Sequence, residues 1–306
     1  MEKDTIFSGI ERLRDPRSLR IKETLKAVAD LGTTLFLFGE TGVGKDFWVH
    51  YLYHIGSLKT ILNLNCGDVP ENLLESEWFG YKRGAFTGAD RDYDGKWRKA
   101  EGGILFLNQI DLLSLNLQAR LLRIIDRKRY FPLGSNEERE VNVRFVFAAD
   151  HDIEEKVRHG EFRQDLFYRI SAYAIQVPPL RERRKDILPL VRHFAAEKGV
   201  AVRLGPEGRK ALTGYPWRGN IREIENFING ISIRGGELTD EQALGLDFST
   251  PEWLETRRVE EMPLAELERE YILYLVRRYR SRVKVARILG ISRKSLYNKL
   301  KKYGGH

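Results

Sequence analysis

The stretch Gly39-Glu40-Thr41-Gly42-Val43-Gly44-Lys45-Asp46 decides how the rest of the chain is read. The run before it, Thr33-Thr34-Leu35-Phe36-Leu37-Phe38, is β-branched and aromatic and predicts a buried parallel strand. After it, Phe47-Trp48-Val49-His50-Tyr51-Leu52 predicts a helix. Strand, glycine-rich turn and helix is the context a phosphate-binding loop requires. The glycines let backbone N–H groups face phosphate oxygens, and the helix N-terminus adds partial positive charge. Lys45 then reaches the outer phosphates. Asp46 stands where Ser or Thr ordinarily helps to hold magnesium. A glycine-rich turn without a ligand is the plainer reading, but the flanking strand and helix favour nucleotide binding.

A chain of 306 residues has room for two or three domains, and 42% apolar with 31% charged residues is an ordinary globular composition. No apolar run reaches membrane-spanning length, and Met1-Glu2-Lys3-Asp4 lacks the apolar core of a signal peptide. A cytoplasmic protein is expected. The single cysteine, Cys66, excludes an intramolecular disulfide and a cysteine-rich metal site, and is read as a small buried side chain. Net charge is +8 and uneven. Eleven basic residues and no acidic one lie between Arg277 and Lys302, so the remainder is slightly acidic. Nucleic acid bound by the C-terminal end is the natural inference.

In chain order, Arg20–Leu31 predicts an amphipathic helix, Ile61–Leu64 a second strand and Glu71–Glu77 a helix. Gly84-Ala85-Phe86-Thr87-Gly88-Ala89 then reads as a mobile loop with an aromatic tip, or simply as surface. Gly102–Gln109 predicts another buried strand, ending in the amides Asn108 and Gln109. Leu115–Arg127 predicts a helix, Val141–Ala149 a fourth strand ending at Asp150, and Glu161–Ile170 a helical segment with Arg163 and Arg169. Beyond Pro178-Pro179 the pattern turns helical only. Alternating strands and helices followed by helices define an α/β domain with a parallel sheet and a helical lid subdomain. Residues 1–180 are assigned to the nucleotide-binding subdomain, 181–247 to the lid, 248–262 to a linker and 263–306 to an all-α helix-turn-helix domain. In the last, Ala265–Tyr279 carries Leu267, Tyr271, Leu275 and Val276 on one face. Val283–Leu289 and Ser292–Lys302, broken by Gly290, form the helix pair, with Ser292 as N-cap.

Together these motifs resemble those of the bacterial enhancer-binding proteins, AAA+ activators of sigma-54 RNA polymerase. Gly84–Ala89 reproduces that family's GAFTGA loop in full, which implies sigma-54 contact through Gly84, Ala85, Phe86, Thr87, Gly88 and Ala89. The resemblance also implies that Gly39, Glu40, Thr41, Gly42, Val43, Gly44, Lys45, Asp46 and Arg222 bind ATP, with Asp46 and Asn108 at Mg2+. An acidic residue after the loop lysine is usual there. The segment Leu166-Phe167-Tyr168-Arg169 looks like the family's arginine-finger region, placing Arg163 and Arg169 at a neighbour's nucleotide; a surface ion pair is the alternative for each. Tyr215–Glu223 resembles the sensor II motif. Asn65 matches a position that restrains the catalytic glutamate. Leu289–Leu300 resembles a Fis-type domain that works as a dimer on upstream enhancer DNA, which makes Ser292, Arg293, Lys294, Ser295, Tyr297, Asn298 and Lys301 the candidates to face the duplex. A homo-oligomeric ring, hexameric in the family's pattern, is implied.

The chain departs from that family at its hydrolytic centre. Asn108 and Gln109 replace an Asp-Glu pair, and Asp150 stands where an asparagine is expected. An amide at 109 cannot accept a proton, so hydrolysis is expected to be weak or absent while ATP binding survives. Three explanations stand: substitutions that trap an ATP-bound state, a natural weak regulator, or a displaced carboxylate supplied by Asp150. Unusual residues at Trp48, Trp78 and Phe147 favour natural divergence. The alternative function is a non-hydrolysing transcription factor that uses ATP or a cyclic dinucleotide as an allosteric ligand. No receiver or sensory domain is read before the core, so control is expected from a separate partner or from a domain that was removed or never present.

Overall fold

The computed structural model describes residues 9–58, 60–67, 71–150, 152–233 and 236–246, and between 268 and 303 it describes 268–269, 271–273, 275–276, 282, 285–286, 289, 291 and 293–303. The chain divides into two compact units, Met1–Leu246 and Asp247–His306. The first opens with helix α1 (Pro16–Val28), capped by the Asp15 carboxylate, which accepts from Arg17 N. The helix therefore starts four residues before the predicted Arg20. Asp at the cap followed by proline at the first helical turn is the signal that sets it. Strand β1 (Leu35–Phe38) leads through the glycine-rich loop into α2 (Lys45–Ile55). There follow β2 (Ile61–Asn65), α3 (Glu71–Phe79), β3 (Ile104–Asn108), α4 (Leu115–Arg127), β4 (Arg144–Ala149), α5 (Gln164–Ile170) and β5 (Ala174–Gln176).

All five strands are parallel and lie in the order β2-β3-β4-β1-β5. The three central strands β1, β3 and β4 bury both faces, because alternate residues feed two separate cores, whereas the edge strands β2 and β5 are partly exposed. Leu35, Leu37, Ile104, Phe106, Val146 and Ala148 pack toward α1, α2 and the lid. Phe36, Leu105, Leu107, Phe145 and Phe147 pack toward α3, α4 and α5. This is why the strands read as unbroken apolar runs instead of alternating ones. Trp48, Trp78 and Phe147 all lie fully inside these cores. Arg144 is buried where β4 begins. Its guanidinium donates to the carbonyls of Val28, Ala29 and Thr33, satisfying the C-terminal end of α1.

Further boundaries differ from expectation. Residues 141–143 precede β4 without joining it, and Glu161–Arg163 lie outside α5. Strand β5, only three residues long, carries too little periodicity to be seen in the sequence. A further antiparallel pair, Arg129–Tyr130 with Arg139–Glu140, is equally invisible in the sequence, since two residues per strand carry no period.

The lid is built mainly of α6 (Ile187–Glu197), α7 (Pro206–Gly214) and α8 (Asn220–Ile233), with Asp240–Leu244 as a short last helix and, against the helices-only expectation, a two-residue parallel pair, Val202–Arg203 with Leu238–Thr239. Its apolar faces share one core with α2, including an edge-on contact of Phe47 with Phe194.

In the second unit, α9 (Arg293–Tyr303) packs Leu296 and Leu300 on Ile272, Leu275, Val285 and Ala286. Tyr271, predicted on the apolar face, is exposed, and Ile272 takes its place. Ile272 stands one turn before Leu275, on the stripe that meets α9. Leu267 and the linker lie outside the described residues.

Gly80 holds the base of the Gly84–Ala89 loop. Its φ is +75°, and a Cβ there would sit 2.1 Å from the Tyr93 carbonyl oxygen. Gly80→Ala is expected to cost about 3 kcal/mol, from left-handed strain together with backbone overlap. Urea unfolding of the variant beside the wild type measures it.

Candidate nucleotide and DNA sites

The carboxyl ends of three neighbouring strands meet at one cleft. The loop 39–44 leaves β1, Asn108 ends β3, and Asp150 follows β4 between them. An open parallel sheet binds ligands at such an edge. Lid residues Ile221, Arg222 and Glu225 close the far wall, so Thr41–Asp46, Asn108, Gln109, Asp150 and Arg222 line a single cavity. Thus the residues predicted from distant motifs converge.

Within the loop, Gly42 (φ +78°) passes so close to the lid that a Cβ would lie 2.4 Å from the Gly219 carbonyl oxygen. The contact is completed by Ile221 N–H donating to Gly42 O at 2.9 Å. Lys45 is almost fully buried. Its ammonium donates to Gly39 O at 2.7 Å, Glu40 O at 3.3 Å and Asp150 Oδ1 at 2.9 Å. Thr41 Oγ1 donates to Asp150 Oδ2 at 2.9 Å. Asn108 turns its Nδ2 toward Asp46 Oδ1 at 3.1 Å and accepts from Gln109 N at 3.0 Å. Desolvation by the cleft walls pushes the Asp46 carboxyl above the ordinary carboxylate range, while His50, Lys45 and Arg222 pull it down. Gln109 adopts φ +57° at the turn after β3, and Asn65 pairs with Asn108 in the sheet register.

Arg181 and Arg183 shape the cleft without belonging to any motif, and Asn220 does so from within the Tyr215–Glu223 segment. Arg181 forms a two-pronged pair with Glu40, and Asn220 (φ +56°) donates to Glu40 Oε2 at 3.2 Å and Thr41 O at 3.1 Å while accepting from Leu180 N. Arg183, wholly buried, donates to Pro178 O at 3.0 Å and to Val43 O. Burial pushes its guanidinium down to about 10, opposed by the charges of Asp186 and Asp15. Arg181, Arg183 and Arg184, grouped just after Pro178-Pro179, are a sequence signal for the two arginine ties.

Arg163 and Arg169 do not line this cleft. Arg163 pairs with Asp165 at 2.7 Å, and Arg169 with Asp126 at 2.7 Å, on the exposed side of α5. The Gly84–Ala89 loop closes on itself through Gly84 N to Ala89 O, Ala85 N to Lys82 O and Ala89 N to Phe86 O. Thr87 is exposed. Phe86 is 43% exposed and rests edge-on against Tyr81, ring centroids 4.9 Å apart. Beneath it, Arg83 N–H donates to the Asp92 carboxylate and holds that acid below its usual range, with Lys82 as the next cause.

On α9, Tyr297 is exposed and Ser295 half-buried, whereas Leu296 and Leu300 are buried. Lys299 is tied to Glu268 at 2.6 Å, so one member of the basic run is internally neutralised. Ser292 and the side chains of Arg293, Lys294, Asn298 and Lys301 lie outside the described residues.

A parallel sheet with a phosphate-type loop at its carboxyl edge, a lid helix against that loop and a separate helical unit define an AAA+ domain joined to a helix-turn-helix. Comparisons agree. Residues 13–176 match the sigma-54 interaction domain, 181–249 the AAA+ ATPase lid domain, and 263–303 the bacterial regulatory protein Fis family. The transcriptional regulatory protein ZraR of Klebsiella oxytoca is 38% identical over 93% of this chain and 67% of its own length. The Nif-specific regulatory protein of Azospirillum brasilense is 40% identical over 70% of this chain, but only 35% of its own length is matched. NtrX from Brucella abortus, crystallised in complex with ATP, has 25% identity and a TM-score of 0.67, covering 95% of this chain and 68% of that one. The chain belongs to the family of sigma-54-dependent AAA+ transcriptional activators with a Fis-type helix-turn-helix domain.

Proposed function

We propose that this chain is a DNA-bound, cytoplasmic regulator that binds ATP with magnesium between subunits of a homo-oligomeric ring, hexameric as its family implies. It engages sigma-54 RNA polymerase through Gly84–Ala89 and hydrolyses ATP weakly or not at all. Residues 1–180 and 181–247 make the nucleotide machine, 248–262 the linker, and 263–306 the module that grips upstream DNA as a dimer. The observation that carries the reading is the convergence of the loop, Asn108, Gln109, Asp150 and Arg222 on one cleft. The ATP complex of the similar NtrX supports the choice of ligand.

Among the described residues no group of three or more His, Cys, Asp or Glu is placed to hold a metal. The donor set fits a magnesium ion held chiefly by phosphate oxygens and water, with Asp46 as a carboxylate beside it and Asn108 as an amide. When bound, the ion neutralises phosphate charge. Arg163 and Arg169 stand on the outer surface, which suits action on a neighbouring subunit's nucleotide. No described helix is long and apolar enough to cross a membrane.

Capture of sigma-54 on immobilised protein, with ATP or a transition-state analogue bound, tests the reading. Wild type is expected to capture sigma-54 and Thr87→Ala to lose about tenfold or more, as removal of a central contact does. Absence of capture by wild type in every nucleotide state overturns it and leaves the non-enzymatic regulator that senses nucleotide, ATP or a cyclic dinucleotide, as an allosteric ligand.

A further inference from the structure

Lys45 and Asp150 lie 105 residues apart and meet only because β4 sits beside β1. The Asp150 carboxylate is gripped at both oxygens, Oδ1 by the Lys45 ammonium and Oδ2 by the Thr41 hydroxyl. With Gly39 O and Glu40 O, it gives the three-proton ammonium three acceptors. A phosphate oxygen that comes to Lys45 enters a donor set already satisfied and must displace one acceptor. The two carbonyls belong to the loop backbone. The carboxylate is the exchangeable anion.

We propose that Asp150 is an internal competitor for nucleotide phosphate at Lys45 and Thr41, and that it sets both the affinity of the cleft and its preference between nucleoside di- and triphosphate. This rests on the nucleotide-binding reading above. Displacement does not remove the charge, because Asp150 is anchored to the end of β4 between the loop and Asn108. It then faces the bound polyphosphate as a like charge, and a triphosphate, with one more phosphate group, feels more repulsion than a diphosphate. Arg222 on the opposite wall offers the compensating cation. Residue 150 therefore acts on binding first, whatever its effect on chemistry.

Calorimetric titration of the full chain with ADP and with a non-hydrolysable ATP analogue tests this on wild type and Asp150→Asn. The variant is expected to bind ADP about tenfold more tightly, as when a conformer holding a tenth of the population becomes dominant, with a larger gain for the triphosphate. Nucleotide bound by the variant alone is the strongest form of that result. Equal affinities, or weaker binding by Asp150→Asn as a purely structural role requires, overturn the proposal. Asp150→Ser, with thermal melting of both variants, covers the case in which the amide variant fails to fold. If wild type binds nucleotide, loses it in Lys45→Ala and is matched by Asp150→Asn, only the competition fails. If neither wild type nor either variant binds, the nucleotide reading fails with it.

Discussion

Asn108→Asp together with Gln109→Glu is expected to raise steady-state ATP turnover by about 10²–10⁴-fold, the usual worth of a general base. Each new side chain is isosteric with the one it replaces. Glutamate at 109 inherits a backbone already set at φ +57° beyond the end of β3, so no refolding is required. The two substitutions contribute unequally. Asp at 108 still accepts from the residue 109 N–H but loses the amide donor to Asp46, leaving two carboxylates where a 3.1 Å hydrogen bond stood. Asp46 is already desolvated, so Asn108→Asp alone is expected to restore little, and Gln109→Glu alone to restore more. On the proposed reading, in which Arg163 and Arg169 act on a neighbouring subunit's nucleotide, turnover of the double variant is expected to climb with protein concentration; both stand outside their own cleft. A phosphate-release assay over a concentration series measures both effects. Full activity in the unaltered chain would move the carboxylate role to Asp150, and silence in both would point to a regulator that senses nucleotide without hydrolysing it.

Asp186→Ala is expected to destabilise the first unit by about 3–5 kcal/mol, the range for breaking a buried charge cluster from one side. Asp186 is fully buried and accepts from Arg14 N at 2.7 Å, Asp15 N at 2.8 Å and Ser18 Oγ, fastening the start of α1. Its charge also offsets Arg183. Arg183 Nη1 is buried with no hydrogen-bond partner among the described residues, so the guanidinium depends on that field. Removing Asp186 orphans three donors and leaves the Arg183 charge opposed only by Asp15, while Arg183 holds the Val43 carbonyl of the phosphate-type loop. Asp186→Asn keeps one acceptor oxygen for Arg14 N and Asp15 N and presents an amide donor to the Ser18 hydroxyl, which can accept, so it is expected to cost less. Urea unfolding separates the two: equal losses would assign the whole effect to the charge, and no loss in Asp186→Asn would show that charge contributes nothing here. Nucleotide affinity is expected to fall with stability, since the same arginine spans the loop and the approach to the lid.

Much of this architecture is legible from local pattern. The glycine loop between an apolar run and an amphipathic run, the Leu115–Arg127 helix and the six-residue Gly84–Ala89 motif depend on residues within a turn or two of one another. The strand ends at Asn108 and Asp150 were readable for the same reason, since a buried strand stops where its apolar run stops. Short pieces such as Ala174–Gln176 are not legible because three residues carry no period, and between Tyr271 and Ile272 only packing chooses the buried face.

What the amino-acid order determined by itself was the sequence of elements and the chemistry each could carry. Which carboxylate meets Lys45, that Arg181 and Asn220 share Glu40, and that Asp186 ties the first helix to a buried arginine were decided by the tertiary structure alone. Those partners stand 105 to 180 residues apart in some pairs. Local propensity acts over a few residues, whereas an ion pair needs atoms within a few ångströms, and only the strand order β2-β3-β4-β1-β5 with a lid folded onto its edge brings them there.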